Sequence, residues 1–272
     1  DDNRIVSTTY YGRIGHTTIT VGGFTFSINA GLNMNIDNTL VAFVLKDERV
    51  TGAERFTAYL AYDPEDKLIQ SKDFKDYFTN YYYNIEDDME LSITYNARIS
   101  PPLPDEQTPT VDIIAQQDDA ISVTAYGRVE DGRITTIDKN SSQDTVNVDA
   151  TEGALLAAKT VDVRVEDDTD YNAENLYRET IYTEYDNEDK LKESVDFRGY
   201  LNKYQYYHNT AADFSHYEDD MVTSQTYLPD NNTLISTTGY CRIGKEPAGV
   251  TEIEGIEGAL VAFASRDERI TG

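Results

Sequence analysis

The chain has 272 residues, and its 50 acidic and 23 basic residues give it a formal net charge of −27. This charge disfavours nucleic acids and anionic membrane surfaces as partners, because their phosphates need Lys and Arg side chains as counter-charges. The longest aliphatic and aromatic run, at 40–45, is far shorter than the ~20 residues of a membrane-spanning helix. We therefore expect a soluble protein without membrane insertion, long enough for two domains.

The first predicted element is a β-hairpin at 18–28. Apolar and polar residues alternate on both sides of Gly22 and Gly23 in the segment "TITVGGFTFSI". Alternation with a period of two is typical of strands with one buried face, and glycines favour a tight two-residue turn between them. The segment therefore predicts two short antiparallel strands.

The next predicted elements are further strands and hairpin turns. Turn-forming Asp, Asn and Pro lie between apolar runs in "YDPEDKL" at 62–68 and in "YDNEDKL" at 185–191. The segment "LSITYNARI" at 91–99 alternates as a half-buried strand does. Sustained helical periodicity is hard to find, and the proline-rich segment 100–110 predicts a boundary or a long loop.

Three phrases recur along the chain. "STTYYGRIG" around Gly12 matches "SVTAYGRVE" around Gly127 and "STTGYCRIG" around Cys241, at spacings of 115 and 114 residues. The segment 62–74 matches 185–197, and "EDDMELSITY" at 86–95 matches "EDDMVTSQTY" at 218–227. A period of this length predicts repeated domains and not a solenoid.

The recurring phrases predict two full units, 1–117 and 118–233, and the front half of a third unit at 234–272. For each unit we predict an antiparallel β-sandwich or a pair of small sheets, so that the fold class is all-β with tandem domains. The third front half, with Leu260, Val261 and Phe263, needs partners for its apolar strand residues. It could belong to a longer array, pack on the second unit as a cap, or be completed by the next subunit.

A calcium loop is a candidate at 168–179. Three side chains fall at positions 1, 3 and 5 of the twelve-residue EF-hand pattern, and a fourth falls at position 12. The four predicted ligands are Asp168, Asp170, Asn172 and Glu179. Ala173 replaces the glycine of position 6, and no flanking helices are evident. The alternative interpretation is a solvated acidic turn.

Tyrosine is unusually frequent, with 21 residues, whereas tryptophan is absent. The predicted ligand or interface residues are Tyr81, Tyr82, Tyr83, Tyr204, Tyr206 and Tyr207. Their rings suit protein interfaces or stacking on sugars, and the alternative is that they fill the core. Three successive tyrosines cannot all point inward from one strand, so we expect at least one of Tyr81, Tyr82 and Tyr83 to be exposed.

The function predicted from these patterns is that of an extracellular or cell-surface structural or adhesive protein, such as a filament, pilus-like or surface-layer subunit that associates with itself. Asn140 and Asn231 fit the N-glycosylation pattern and agree with secretion. A carbohydrate-binding module that uses exposed tyrosines is the alternative. A glycosidase-type enzyme is disfavoured because no facing pair of carboxylates is evident, and we expect no enzyme activity.

Overall fold

The computed structural model describes residues 7–15, 18–21, 24–27, 39–48, 55–97, 101, 103–104, 120–137, 143–162, 178–207, 219–230, 232–247, 249–251, 253–255 and 257–269. Within these ranges the chain forms eighteen β-strands and no helix. The strands are β1 (Ser7–Arg13), β2 (Thr18–Val21), β3 (Phe24–Ser27), β4 (Leu40–Asp47), β5 (Phe56–Tyr62), β6 (Leu68–Lys72), β7 (Phe78–Tyr83), β8 (Met89–Tyr95), β9 (Ala120–Glu130), β10 (Arg133–Ile137), β11 (Gln143–Asn147), β12 (Leu155–Asp162), β13 (Arg178–Tyr185), β14 (Leu191–Val195), β15 (Leu201–Tyr206), β16 (Met221–Tyr227), β17 (Leu234–Arg242) and β18 (Leu260–Asp267). Among the described residues, no helix is long and apolar enough to cross a membrane.

Hydrogen bonding joins sixteen of these strands into one open sheet and leaves β2 and β3 as a separate hairpin. The strand order of the large sheet is β1-β4-β5-β6-β7-β8-β9-β12-β13-β14-β15-β16-β17-β18, with β10 and β11 paired beside β9. The all-β, antiparallel fold class is thus confirmed. The packing of two sheets as a sandwich stays a prediction, and so do the unit boundaries 1–117, 118–233 and 234–272.

The chain divides into two compact units. The first contains β1 to β8 and the part of β9 up to Ala125. The second contains β9 from Tyr126, β10 as far as Thr136, and β11 to β18. A buried cluster with Phe43 and Val44 at its centre lies in the first unit, and a cluster with Val129 and Ala158 lies in the second. Each unit therefore has an apolar core of its own.

The hairpins predicted from the sequence are present. β2 and β3 pair antiparallel with Val21 opposite Phe24, as the alternation around the two glycines indicates. The turns at 63–67 and 186–190 join β5 to β6 and β13 to β14. The strand predicted at 91–99 corresponds to β8, which begins at Met89 and ends at Tyr95, before the end of the predicted segment.

The turn at 63–67 is held by one carboxylate. Oδ1 of Asp63 accepts hydrogen bonds from the backbone N–H groups of Glu65, at 3.0 Å, and of Lys67, at 2.8 Å. The N–H group of Asp63 also donates to the carbonyl oxygen of Lys67, which closes the hairpin. Asp66 has a left-handed φ of 66°, a conformation that Asp tolerates better than most residues. The side chain thus takes up donors that a tight turn would otherwise leave unpaired.

The same turn occurs five times in the described chain. In every case the first residue is Asp or Asn, and its side-chain oxygen accepts from the backbone N–H groups two and four residues later. The turns begin at Asp63, Asp73, Asn84, Asp186 and Asp196. The fourth residue always has a left-handed φ, between 62° and 79°, and is Asp in four turns and Gly199 in the fifth. The repeated acidic phrases of the sequence therefore encode turns.

We expect the substitution Asp186→Ala to lower the free energy of unfolding by about 1–2 kcal/mol, because two backbone donors lose a charged acceptor. Asn187→Ala is the control, since Asn187 is the exposed neighbour in the same turn and its replacement should change stability by less than about 0.5 kcal/mol. Urea denaturation of the full chain measures both. Equal effects of the two substitutions would contradict this role of the Asp186 carboxylate.

Candidate functional site

The first predicted interface, Tyr81 to Tyr83, lies on β7. The hydroxyl group of Tyr81 shares a hydrogen bond of 2.8 Å with Oγ of Ser71, and that of Tyr83 donates to the carbonyl oxygen of Leu68 at 2.8 Å. Tyr82 points to the other face and is only 7% exposed. Tyr81 and Tyr83 are half-buried. The neighbouring strand β6 thus takes up both hydroxyl groups, and the two rings stay partly accessible. Their role as an interface stays a prediction.

The second predicted interface, on and after β15, follows the same pattern. Tyr204 shares a hydrogen bond of 2.9 Å with Oγ of Ser194, just as Tyr81 does with Ser71 in the first unit. Tyr206 and Tyr207 are half-buried, and burial raises the pKa of Tyr206. Stacking on a sugar requires an exposed aromatic face, so these side chains give the carbohydrate-binding alternative no support.

One further tyrosine in each unit belongs to the buried core. Tyr62, at the end of β5, donates its hydroxyl proton to the carbonyl oxygen of Ala42 on β4. Tyr185, at the end of β13, makes the same bond to Ala157 on β12. Both rings are more than nine-tenths buried, and burial is the main cause that raises their pKa above the ordinary value for tyrosine. These tyrosines, which the sequence did not single out, link neighbouring strands.

A buried ion pair joins two of the recurring sequence phrases. Asp220 belongs to the second "EDDM" phrase and Arg242 to "STTGYCRIG", and they are 2% and 3% exposed. Nε of Arg242 donates to Oδ2 of Asp220 at 2.6 Å, and Nη2 donates to Oδ1 in the bidentate geometry typical of Arg and carboxylates. Nη1 of Arg242 donates to the carbonyl oxygen of Gly258. Arg128 makes the equivalent bond to Gly153, at 2.9 Å.

Ion pairs also connect turns that are separated by a whole hairpin. Nζ of Lys67, in the turn 63–67, lies 2.7 Å from Oδ1 of Asp87, in the turn 84–88. Lys190 pairs in the same way with Asp219 in the second unit. The hydrogen bond to Asp87 raises the pKa of Lys67. Burial alone would lower the pKa of Lys190, but the hydrogen bonds of its ammonium group to Asp219 and Glu188 raise that pKa overall. A lysine thus offsets part of the acidic charge at this edge of each unit.

An exposed phenylalanine lies between two cations at one turn of each unit. Phe74, in the turn 73–77, is 46% exposed, and Phe197, in the turn 196–200, is 53% exposed. The cationic groups of Arg55 and Lys75 lie 5.0 and 5.6 Å from the centre of the Phe74 ring. Those of Arg178 and Arg198 lie 5.6 and 5.3 Å from the Phe197 ring. We call these two groups the phenylalanine clamps. Their two phenylalanine rings are exposed at equivalent turns of the described chain.

Most of the predicted calcium and glycosylation residues lie outside the described ranges, namely Asp168, Asp170, Asn172, Asn140 and Asn231. Glu179 is described on β13, where its carboxylate pairs with Nζ of Lys159 at 3.1 Å. In the described part of the chain no group of three His, Cys, Asp or Glu side chains is placed to hold a metal. Calcium binding at 168–179 stays a prediction.

The predicted subunit-contact residues lie on β18, the last strand of the sheet. Leu260, Val261 and Phe263 are half-buried, and Val261 lies opposite Cys241 on β17. A Cβ atom added at Gly239 would approach the ring of Phe263 to 2.8 Å, so this ring packs directly on the glycine backbone. Phe263 is therefore used within its own hairpin, and the outer side of β18 is an edge among the described strands.

Neither a protein-family model nor a curated protein matches the sequence. Function is therefore inferred from the geometry of the described residues. The features that recur there are hydrogen-bonded turns, tyrosine links between strands, ion pairs and the phenylalanine clamps. Their chemistry is that of holding a sheet together and presenting turns.

We expect Asp220→Ala to destabilise the second unit by about 3–5 kcal/mol, because it leaves the Arg242 charge buried without its partner. The double substitution Asp220→Leu with Arg242→Met should cost much less, since it removes both charges. Glu193→Gln breaks a more exposed pair with Lys203 and should cost less than about 1 kcal/mol. Urea denaturation compares the three. A double variant as unstable as Asp220→Ala would contradict this account.

The buried tyrosines predict a loss of stability in alkali. Burial raises the pKa of Tyr83 to about 12, whereas an unfolded tyrosine titrates near pH ~10. As pH rises from about 10 towards 12, the unfolded chain releases a phenolic proton that the folded chain keeps, so the free energy of unfolding falls. Denaturation at a series of pH values measures this slope. Tyr83→Phe should reduce it, and an unchanged slope in that variant would exclude Tyr83 as a cause.

Proposed function

We propose that this chain is a structural repeat protein with an adhesive surface, acting outside the cell or at its surface. Proteins of this kind build filaments, pilus-like fibres or surface layers from many copies of one unit. The chain would contribute a β-sheet that further units extend. It would also contribute exposed turns that make adhesive contacts. In this function no described residue has a catalytic part.

The observation that supports this proposal best is the repetition of one hairpin at both ends of the described sheet. In β1 and β4, Ser7 lies opposite Asp47 and Arg13 opposite Leu40. The hairpin of β17 and β18 has the same register at all seven equivalent pairs. Even the irregularity recurs at the same place, between Tyr10 and Tyr11 in the first hairpin and between Gly239 and Tyr240 in the last. The recurrence of one hairpin in one register supports a sheet that is built from repeated units.

The accessible turns supply the adhesive part of the proposal. The phenylalanine of each clamp is the second residue of its turn. Ile85, the second residue of the turn 84–88, is also fully exposed. Exposed aromatic groups flanked by cations contribute to interfaces through apolar burial and cation–π contacts. Because the clamps recur, one chain presents the same contact group twice, and such multivalency strengthens weak adhesion.

The composition supports the extracellular part of the proposal. A net charge of −27 favours solubility at high concentration and attracts divalent cations. Calcium at 168–179 and glycans at Asn140 and Asn231 would add to this surface. These sites belong to the proposal and are not needed for the sheet to extend.

We expect the purified chain to form oligomers whose mass rises with concentration. Salt should promote this association, because it screens the repulsion between copies that each carry a charge of −27. Sedimentation velocity at several salt concentrations measures the mass, and electron microscopy shows whether the oligomers are extended. Monomers under all these conditions, or compact closed oligomers alone, would contradict the proposal.

A further inference from the structure

The strand β18 is the third example of one strand type in this chain. β4, β12 and β18 carry the related segments "LVAFVLKD", "LLAAKTVD" and "LVAFASRD". Each of them follows a strand with the first recurring phrase, and each pairs with that strand. β4 and β12 have a second neighbour on their other side, whereas β18 is the last strand of the described sheet. The first two examples therefore show which strand fits the outer side of the third.

The second neighbours of β4 and β12 are also of one type. β5 pairs with β4 so that Ala58 lies opposite Val44, and β13 pairs with β12 so that Ile181 lies opposite Lys159. Val44 and Lys159 are both the fifth residue of their strands, so the two pairs are equivalent. The adjacent residue pairs keep the same register in both units. Position 44 is apolar in β4 and its equivalent is a lysine in β12, so the pairing does not depend on an apolar residue there. The equivalent position of β18 is Ala264.

A tyrosine hydroxyl marks this neighbour. In both units the last residue of the added strand is a tyrosine, Tyr62 or Tyr185, and its hydroxyl group donates to an alanine carbonyl oxygen at 2.5 Å. The accepting residues, Ala42 and Ala157, occupy the same position of their strands, and Ala262 occupies it in β18. β18 thus has an alanine at the position whose carbonyl oxygen accepts the hydrogen bond of the tyrosine hydroxyl group in the other two strands.

β18 has backbone N–H groups that point away from β17, at the positions where β4 donates to β5. The N–H group of Glu268 donates to the carbonyl oxygen of Ile235 beside β17. Because backbone groups alternate along a strand, the N–H groups of Asp267 and Ser265 point away from β17. In β4 the equivalent of Asp267 is Asp47, whose N–H group donates to Arg55 at the start of β5. Val44 is fully buried in β4, whereas Ala264 is exposed, as expected where the covering strand is absent from the described sheet.

We infer that the outer edge of β18 binds a strand of the β5 and β13 type, supplied by another unit of the same repeat. The strand runs antiparallel to β18, with the residue equivalent to Ala58 opposite Ala264, and its terminal tyrosine donates to the carbonyl oxygen of Ala262. The inference rests on the proposed function in that it names the partner by which the sheet is extended. Main-chain hydrogen bonds provide the affinity, and the tyrosine sets the register.

The test uses a fluorescent peptide with the sequence of residues 55–72, which contains β5, its turn and β6. Fluorescence anisotropy measures its binding to the full chain. We expect saturable binding that Ser265→Pro weakens by roughly tenfold or more, because proline removes one outward N–H group and its ring obstructs the added strand. Ser265→Ala keeps the N–H group and should bind as the original chain does. A peptide with Tyr62→Phe should bind several-fold more weakly, because it lacks the hydroxyl group.

Proline at Ser265 leaves the bonds to β17 in place, since that N–H group points outward, so thermal unfolding should show a folded variant. Absence of saturable binding would overturn the inference. Equal binding to the Ser265→Pro and Ser265→Ala variants would also overturn it, because the peptide would then bind at a place other than the edge of β18. If the full chain forms extended oligomers but does not bind the peptide, the inference is wrong and the structural function stands. If the peptide binds as expected but the chain stays monomeric, the inference stands and the proposed self-association is wrong.

Discussion

A side-chain oxygen that accepts two backbone N–H groups is the interaction on which the strand arrangement depends. It fixes each turn at five residues, so the strands on either side meet in one register and the chain returns antiparallel. The turns that begin at Asp63 and Asp73 are ten residues apart, and the same spacing separates those at Asp186 and Asp196. Short strands of similar length follow from this spacing. Alternate turns lie at the same edge of the sheet, which is why Lys67 reaches Asp87.

The acidic composition of the chain has a structural cause as well as a surface effect. Four of the five turns begin with Asp, and the left-handed position is Asp in four of them. Asp serves both positions because its short side chain accepts from nearby N–H groups and tolerates a positive φ. Backbone donors and lysine side chains stabilise these carboxylates where they cluster. Part of the net charge is therefore a consequence of building turns from Asp, and needs no cationic partner to explain it.

The strands and hairpins could be predicted because their signals are local. Alternation around Gly22 and Gly23 and the turn residues of 63–67 each specify a structure within about ten residues. The hydrogen bonds of the Tyr81 and Tyr83 hydroxyl groups could not be predicted, because they depend on where β6 places Ser71 and the carbonyl oxygen of Leu68. A row of tyrosines on one strand does not show which hydroxyl groups a neighbour will accept.

The ion pair of Asp220 and Arg242 shows a different limit. Both residues lie in phrases that the sequence marked as recurring, but recurrence alone does not tell which phrases come together. The pairing follows from the contact between β16 and β17, which places the start of one strand beside the end of the next. The partner of the outer edge of β18 could be predicted only in part from the sequence. The sequence indicated that its apolar residues need partners, but the matching strand could be named only from the registers of β4 and β12.

The order of strands in the sheet also affects how the chain can reach its folded state. From β4 to β8 and from β12 to β17, each described strand pairs with the strand that follows it in sequence. Contacts between near neighbours in sequence require little loop closure and form quickly. A chain of this kind can add hairpin to hairpin as it emerges from the ribosome, without waiting for a distant segment. The same local order therefore permits folding from one end.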